Sequence, residues 1–155
     1  MLAIEPPRSY RLSDRFGNPT EEPQQSRVRA FEPGQAAQEQ LVLSKLGVNG
    51  WGRWQYFRLC FSDGWGEAHQ RPLSPKSQEM FIEALKHLQI PAGVRPSLFL
   101  TDEGFLEIAW KDSEGKATQI EFGPHEFEVY SEPAGEEGRF PYDQLEVVLN
   151  RCFGS

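Results

Sequence analysis

Between Arg95 and Tyr130 apolar and polar residues alternate with a period of two, and the alternation restarts after each glycine-bearing turn. This is the signature of antiparallel strands with one face in a core. Four strands are predicted, roughly 97–101, 104–111, 117–122 and 126–131. Asp102-Glu-Gly104, Asp112-Ser-Glu-Gly115 and Gly123-Pro-His125 supply the turns between them. Leu106, Ile108 and Trp110 share one face of the second strand, Ile120 and Phe122 one face of the third, and Phe127 and Val129 one face of the fourth. The opposite face then carries Glu107, Gln119, Glu121, Glu126 and Glu128.

The strongest helix signal precedes this meander. Ser74 is a natural N-cap, Pro75 suits the first helical position, and the helix is expected to reach about Gln89, before Pro91 and Gly93. Phe81, Ala84, Leu85 and Leu88 fall on one stripe, which should lie across the sheet. A shorter helix is expected over 35–46, with Ala37 and Leu41 on one side and Gly47 as its stop. A last helix from Pro141 or Tyr142 places Leu145, Val148, Leu149 and Cys152 on one side and closes the domain. The segment 50–66 is aromatic and glycine-rich, and both of its faces are apolar whichever period is imposed, so periodicity does not decide it. Its aromatic content and flanking glycines favour a strand. Gly135-Glu-Glu-Gly138 reads as a loop. The fold class is therefore α+β: a four-stranded antiparallel meander packed by helices, with a loosely structured arm over 1–33 and a single domain over 34–155.

Composition supports the arm. Residues 1–33 hold Pro6, Pro7, Pro19, Pro23 and Pro33 among many Gln, Glu and Arg, with too little apolar surface to offset the entropy of ordering. Two small apolar islands, Tyr10/Leu12/Phe16 and Val28/Ala30/Phe31, can dock on the domain or on a partner. The N-terminus has neither a basic start nor an apolar stretch of the secretory kind, and no run approaches a membrane span, so a cytoplasmic protein without membrane attachment is expected.

Charge sharpens the picture of the surface. The net charge of −7 is concentrated at the end of the chain, where residues 96–155 carry thirteen acidic against four basic side chains. Such a field disfavours nucleic acid and anionic lipid and favours a basic protein partner. It also serves simply to keep a domain soluble.

Candidate chemistry is sparse. Glu107, Glu121 and Glu128 form a possible carboxylate group, but an open sheet face is a poor place to separate two pKa values, so no catalytic residue is assigned. Asp63, Glu67 and His69 have no recognised metal-ligand spacing, and His87 and His125 read as surface or capping residues. Cys60 and Cys152 form no CxxC motif; buried thiols are favoured, with a single disulfide left open. No metal and no cofactor is expected. Around 51–71, Arg53, Arg58 and Arg71 interleave with Trp51, Trp54, Tyr56, Phe57, Phe61 and Trp65. That mixture suits a protein hot spot, single-strand stacking, or core aromatics covered by arginine stems.

The run Pro96-Ser-Leu-Phe-Leu-Thr-Asp-Glu-Gly-Phe-Leu-Glu-Ile-Ala-Trp110, followed by Ile120-Glu-Phe122 and a strand ending at Tyr130, resembles a group of small, uncharacterised bacterial proteins. Gly64-Trp-Gly66 and Leu73-Ser-Pro75 extend the resemblance over about 64–130. Proteins of this group look like antitoxin-type or accessory partners, and the resemblance carries over no catalytic residue. The expected function is a non-enzymatic protein-binding module, antitoxin-like or adaptor-like, that meets a basic partner. Its expected contacts are Trp51, Arg53, Trp54, Trp65, Glu107, Glu121 and Glu128. The alternatives are a small metal-dependent hydrolase built on Asp63, Glu67, His69 and a sheet glutamate, or a module for single-stranded nucleic acid.

Overall fold

The computed structural model describes residues 33–60 and 71–154. The chain divides into two units, Met1–Ala37 and Gln38–Ser155; of the first, only the opening of a helix lies within the described residues. The expected arm therefore falls outside them, apart from Pro33. The element order is α1 (Pro33–Cys60), α2 (Pro75–Leu85), β1 (Ser97–Leu100), β2 (Leu106–Lys111), β3 (Ala117–Phe122), β4 (Glu126–Ser131), β5 (Glu136–Pro141), a 3-10 turn (Tyr142–Gln144) and α3 (Leu145–Phe153). The α+β class is as expected, but the sheet has five antiparallel strands rather than four, in the order β1-β2-β3-β4-β5.

The fifth strand takes up the segment expected as a loop. Glu136, Glu137, Gly138 and Pro141 are poor strand formers. The hairpin from β4 overrides that preference, because Gly135 adopts φ 67° and the turn delivers Glu136 opposite Ser131. An edge strand also tolerates charge and proline that a central strand does not.

The segment after Gly47 is the second correction. Gly47 breaks the first helix as expected (φ 82°, ψ −177°), but the chain resumes helix up to Cys60 instead of forming a strand. Val42 and Leu46 before the kink, and Trp54 and Phe57 after it, are all buried. The kink is what lets both halves present a buried face. Gly50 packs so closely on Leu46 that a Cβ there would lie 2.4 Å from the Leu46 Cβ. Residues 61–66 of the expected strand lie outside the described residues.

The core is the one the alternation predicts. Leu98, Leu106, Ile108, Ile120, Phe122, Phe127 and Val129 are fully buried on the inner face of the sheet, with Trp110 nearly so. Phe81, Ala84, Leu85 and Leu88 of α2 and the residues just after it meet them, and Phe81 sets its ring edge-on to Phe122 at 6.0 Å. From α3, Leu145, Val148 and Leu149 complete the layer, and Trp110 meets Phe153 at 5.8 Å. The two buried hydroxyls on the inner face, Thr118 and Ser131, satisfy each other at 3.1 Å.

Helix α2 ends at Leu85, a turn earlier than expected, but begins as the sequence indicates. The Ser74 side chain accepts the Ser77 N–H. Ser77 is itself buried, and its hydroxyl oxygen accepts the Leu106 N–H at 2.8 Å, which joins the start of α2 to the start of β2. Beside this seam the Ser74 N–H donates to the Gly104 carbonyl at 2.8 Å. Gly104 has φ 89°, and a Cβ there would lie 2.1 Å from the Pro72 carbonyl oxygen. Both its backbone conformation and its neighbour require glycine. Gly104→Ala is expected to lower unfolding free energy by about 2 kcal/mol or more, measured by urea denaturation; an unchanged midpoint would show that the 71–74 segment yields without cost.

Candidate functional site

The residues that could do something chemically distinctive lie on the outer face of the sheet, and the strand register positions them. Glu107 is paired with Glu121, Glu121 with Glu128, and Glu128 with Arg139. Phe99 stands opposite Glu107 at the other end of the row. Side chains of directly opposed residues point to the same face, so the three glutamates form a continuous acidic ladder across the three central strands. Like charges in this arrangement oppose one another.

Their environments differ along the ladder. Glu107 and Glu121 are half-buried, and Glu128 is exposed. Partial burial, followed by the charge of Glu128, holds the Glu107 carboxyl above the ordinary glutamate pKa. Burial also raises that of Glu121, with Glu107, Glu128 and Glu103 adding to it and Arg139 opposing. Arg139 lies 3.7 Å from Glu128 and 3.8 Å from Glu126, so its charge sits at one end of the row. Beside that end is an open depression of about 330 Å³, lined by Glu103, Phe105, Glu121, Glu126, Glu128 and Arg139 among others. Tyr142 contacts two of the lining residues: it stacks on Phe127 and donates its hydroxyl proton to the Gly123 carbonyl at 2.7 Å. Burial, with Glu121 and Glu126 adding, pushes its phenol far above the usual range, so it remains a neutral donor.

The aromatic–arginine segment is used differently from the ladder. Trp54 is fully buried, and its indole N–H donates to Gln78 of α2 at 2.8 Å, so its ring faces the core. Phe57 is also buried. Trp51 is half-buried against the core. Arg58 lies over the Trp54 ring at 4.2 Å and hydrogen-bonds Gln55, while burial lowers its pKa. Arg53 is exposed; its guanidinium lies near the Phe57 and Phe99 rings, and its Nε donates to the Leu98 carbonyl at 2.6 Å. Arg53 and Arg95 line a second depression of about 510 Å³ beside the Gly47 kink. Trp65, and the Asp63, Glu67 and His69 of the hydrolase alternative, lie outside the described residues. Among the described residues no group of three or more His, Cys, Asp or Glu side chains is arranged to hold a metal ion. His87 is half-buried beside Glu83, and His125 is exposed. Cys152 is a free thiol whose pKa burial raises, with Glu136 adding to the rise. No helix among the described residues is long and apolar enough to cross a membrane.

Thus Glu107, Glu121 and Glu128 come together, Arg53 sits at the Phe99 end of their row, and Trp51 and Trp54 belong to the packing of α1. Sequence reasoning misses Arg139, the cation that terminates the ladder, because it reads 135–138 as a loop and assigns no element to 139–140. The alternation of Glu137, Gly138, Arg139 and Phe140 was the signal available.

The raised pKa values have a stability consequence of definite sign. The folded chain holds protons at Glu107 and Glu121 more tightly than the unfolded chain does. Folding is therefore favoured below the ordinary glutamate pKa and loses that contribution as pH rises through the raised folded values. Glu121→Gln is expected to stabilise the protein at pH 7, with the difference from the parent shrinking as pH falls through the raised folded value toward the ordinary glutamate pKa of about 4.3, and levelling off below it. Thermal melts across this range check it, and a constant difference at all pH values would contradict the charge origin. Compared with known proteins, the chain matches no protein family, no curated protein and no solved structure.

Proposed function

We propose that this chain is a non-enzymatic protein-binding module, antitoxin-like or adaptor-like, whose acidic sheet face neutralises or recruits a partner with a basic surface. The observation that carries this reading is the Glu107–Glu121–Glu128 ladder, which sets like charges opposite one another outside the core. A cationic partner relieves that repulsion, and it does so most effectively at Glu107 and Glu121, whose partial burial weakens screening by water. The ladder also has a repeat. Adjacent strands lie about 4.8 Å apart, close to the roughly 5.4 Å rise of one helical turn. Lysines or arginines on successive turns of a helix lying across the strands would each meet one glutamate. Phe99 and Tyr130, both partly exposed on the same face, offer apolar contact beside the charges.

The sequence resemblance to antitoxin-type and accessory proteins supports the same reading. The mechanism requires no catalysis. Electrostatic complementarity speeds encounter and sets orientation, and the rigid sheet presents its charges without an ordering cost.

The test is simultaneous reversal of Glu107, Glu121 and Glu128 to Lys. The variant is expected to stay folded by circular dichroism, because none of the three belongs to the core. Partners captured from the native host and identified by mass spectrometry should be lost. With an identified partner, the association rate should fall by at least about tenfold at low salt. Unchanged capture and an unchanged association rate would leave the acidic face as a solubilising surface only.

A further inference from the structure

The sheet has two edges, and the molecule treats them differently. At β1 the side chain of Arg53 reaches the Leu98 carbonyl. From Glu136 to Phe140 of β5, among the described residues, no hydrogen bond outside the β4 ladder reaches the backbone. An unpaired strand edge is a template for another strand.

The phase of the exposed groups follows from the turns. The Gly123 N–H donates to the Glu126 carbonyl, and the Glu132 N–H donates to the Ala117 carbonyl. In an antiparallel ladder such bonds recur at every second residue, so Glu126, Glu128 and Tyr130 turn their backbone groups toward β3. Phe127, Val129 and Ser131 then bond β5 through their register partners Phe140, Gly138 and Glu136. That leaves Glu137 and Arg139 directing both N–H and C=O away from the sheet, while Pro141, the N-cap of the following 3-10 turn, has no N–H to offer.

We propose that two copies of this chain join through β5, antiparallel about a two-fold axis at Gly138, to form one continuous ten-stranded sheet. Only residues of the same phase can face each other across such a seam, so the axis must pass through a residue. Centred on Glu137, the seam opposes two glutamates. Centred on Arg139, it opposes two arginines and sets Glu137 against Pro141, which lacks an N–H. Centred on Gly138, it places Glu137 against Arg139 of the second copy, twice, with four backbone hydrogen bonds. Both side chains are exposed and lie on the outer face, so each interchain pair joins opposite charges. Gly138 meets its own copy at the close-approach position on the inner face, where it brings no side chain to collide. This symmetric pairing puts both acidic ladders on one side of the sheet, and it does not depend on the partner proposed above.

Sedimentation equilibrium of the purified chain over a concentration series tests the seam. The parent chain is expected to show a monomer–dimer equilibrium. Arg139→Glu makes both interchain pairs repulsive and should lower the association constant by about tenfold or more. Adding Glu137→Arg to it restores opposite charges and should recover the dimer. Glu137→Pro removes an outward N–H without touching the β4 ladder, so it should weaken the dimer while leaving the circular dichroism spectrum unchanged. A chain that sediments as a monomer at every concentration overturns the proposal. So does a dimer indifferent to Arg139→Glu or Glu137→Pro, or a charge-swapped double variant that stays monomeric.

Discussion

The pairing of β2 with β3 decides which surface this protein shows to its surroundings. Leu106 faces Phe122 and Ile108 faces Ile120 on the inside, and the same register sets Glu107 against Glu121 on the outside. Burying each large apolar side chain contributes about 1.5–3 kcal/mol, whereas an unfavourable cross-strand charge pair costs roughly 0.2–1 kcal/mol. The core therefore dictates the register, and the glutamate repulsion is carried as a consequence. A slip of one residue would relieve the charges, but it would turn the whole inner row of β2 to water.

The sheet passes this constraint outward to its margins. The central strands carry the apolar inner residues and the acidic ladder, and the flanking strands carry the elements that end the row. Phe99 and the Arg53 guanidinium stand at one end, and Arg139 with its two glutamates at the other. Charge and aromatic surface thus flank an acidic centre. That arrangement is a product of strand order, not of proximity in sequence, since Arg53 and Arg139 lie on opposite sides of the meander in the chain.

Much of this was legible in the residues. The first four strands, the inward set and the glutamates of the outer face follow from two-residue alternation, and the Ser74–Pro75 pair announces α2. What was not legible has identifiable physical causes. The helix after Gly47 carries aromatics on several sides and glycines at 50 and 52, so it shows no 3.6-residue period, and tertiary burial of Trp54 and Phe57 overrides weak propensity. The last strand has only Phe140 as a substantial inner residue, and its neighbours disfavour strands; it exists because β4 offers it a partner. The arginine that terminates the ladder belongs to that strand, so it became visible only once the sheet was complete.

The Ser77 hydroxyl joins two elements that are 29 residues apart, since it accepts the Leu106 amide at the very start of β2. The capping contact to Ser74 sits on the backbone of the same residue. The Leu106 amide is thereby held by a side chain of α2, so opening of the first turn of α2 exposes the start of β2 to exchange as well. Helix and sheet should open as one cooperative unit at this corner, and the corner lies at the end of the sheet where β2 begins its run toward the outer carboxylates.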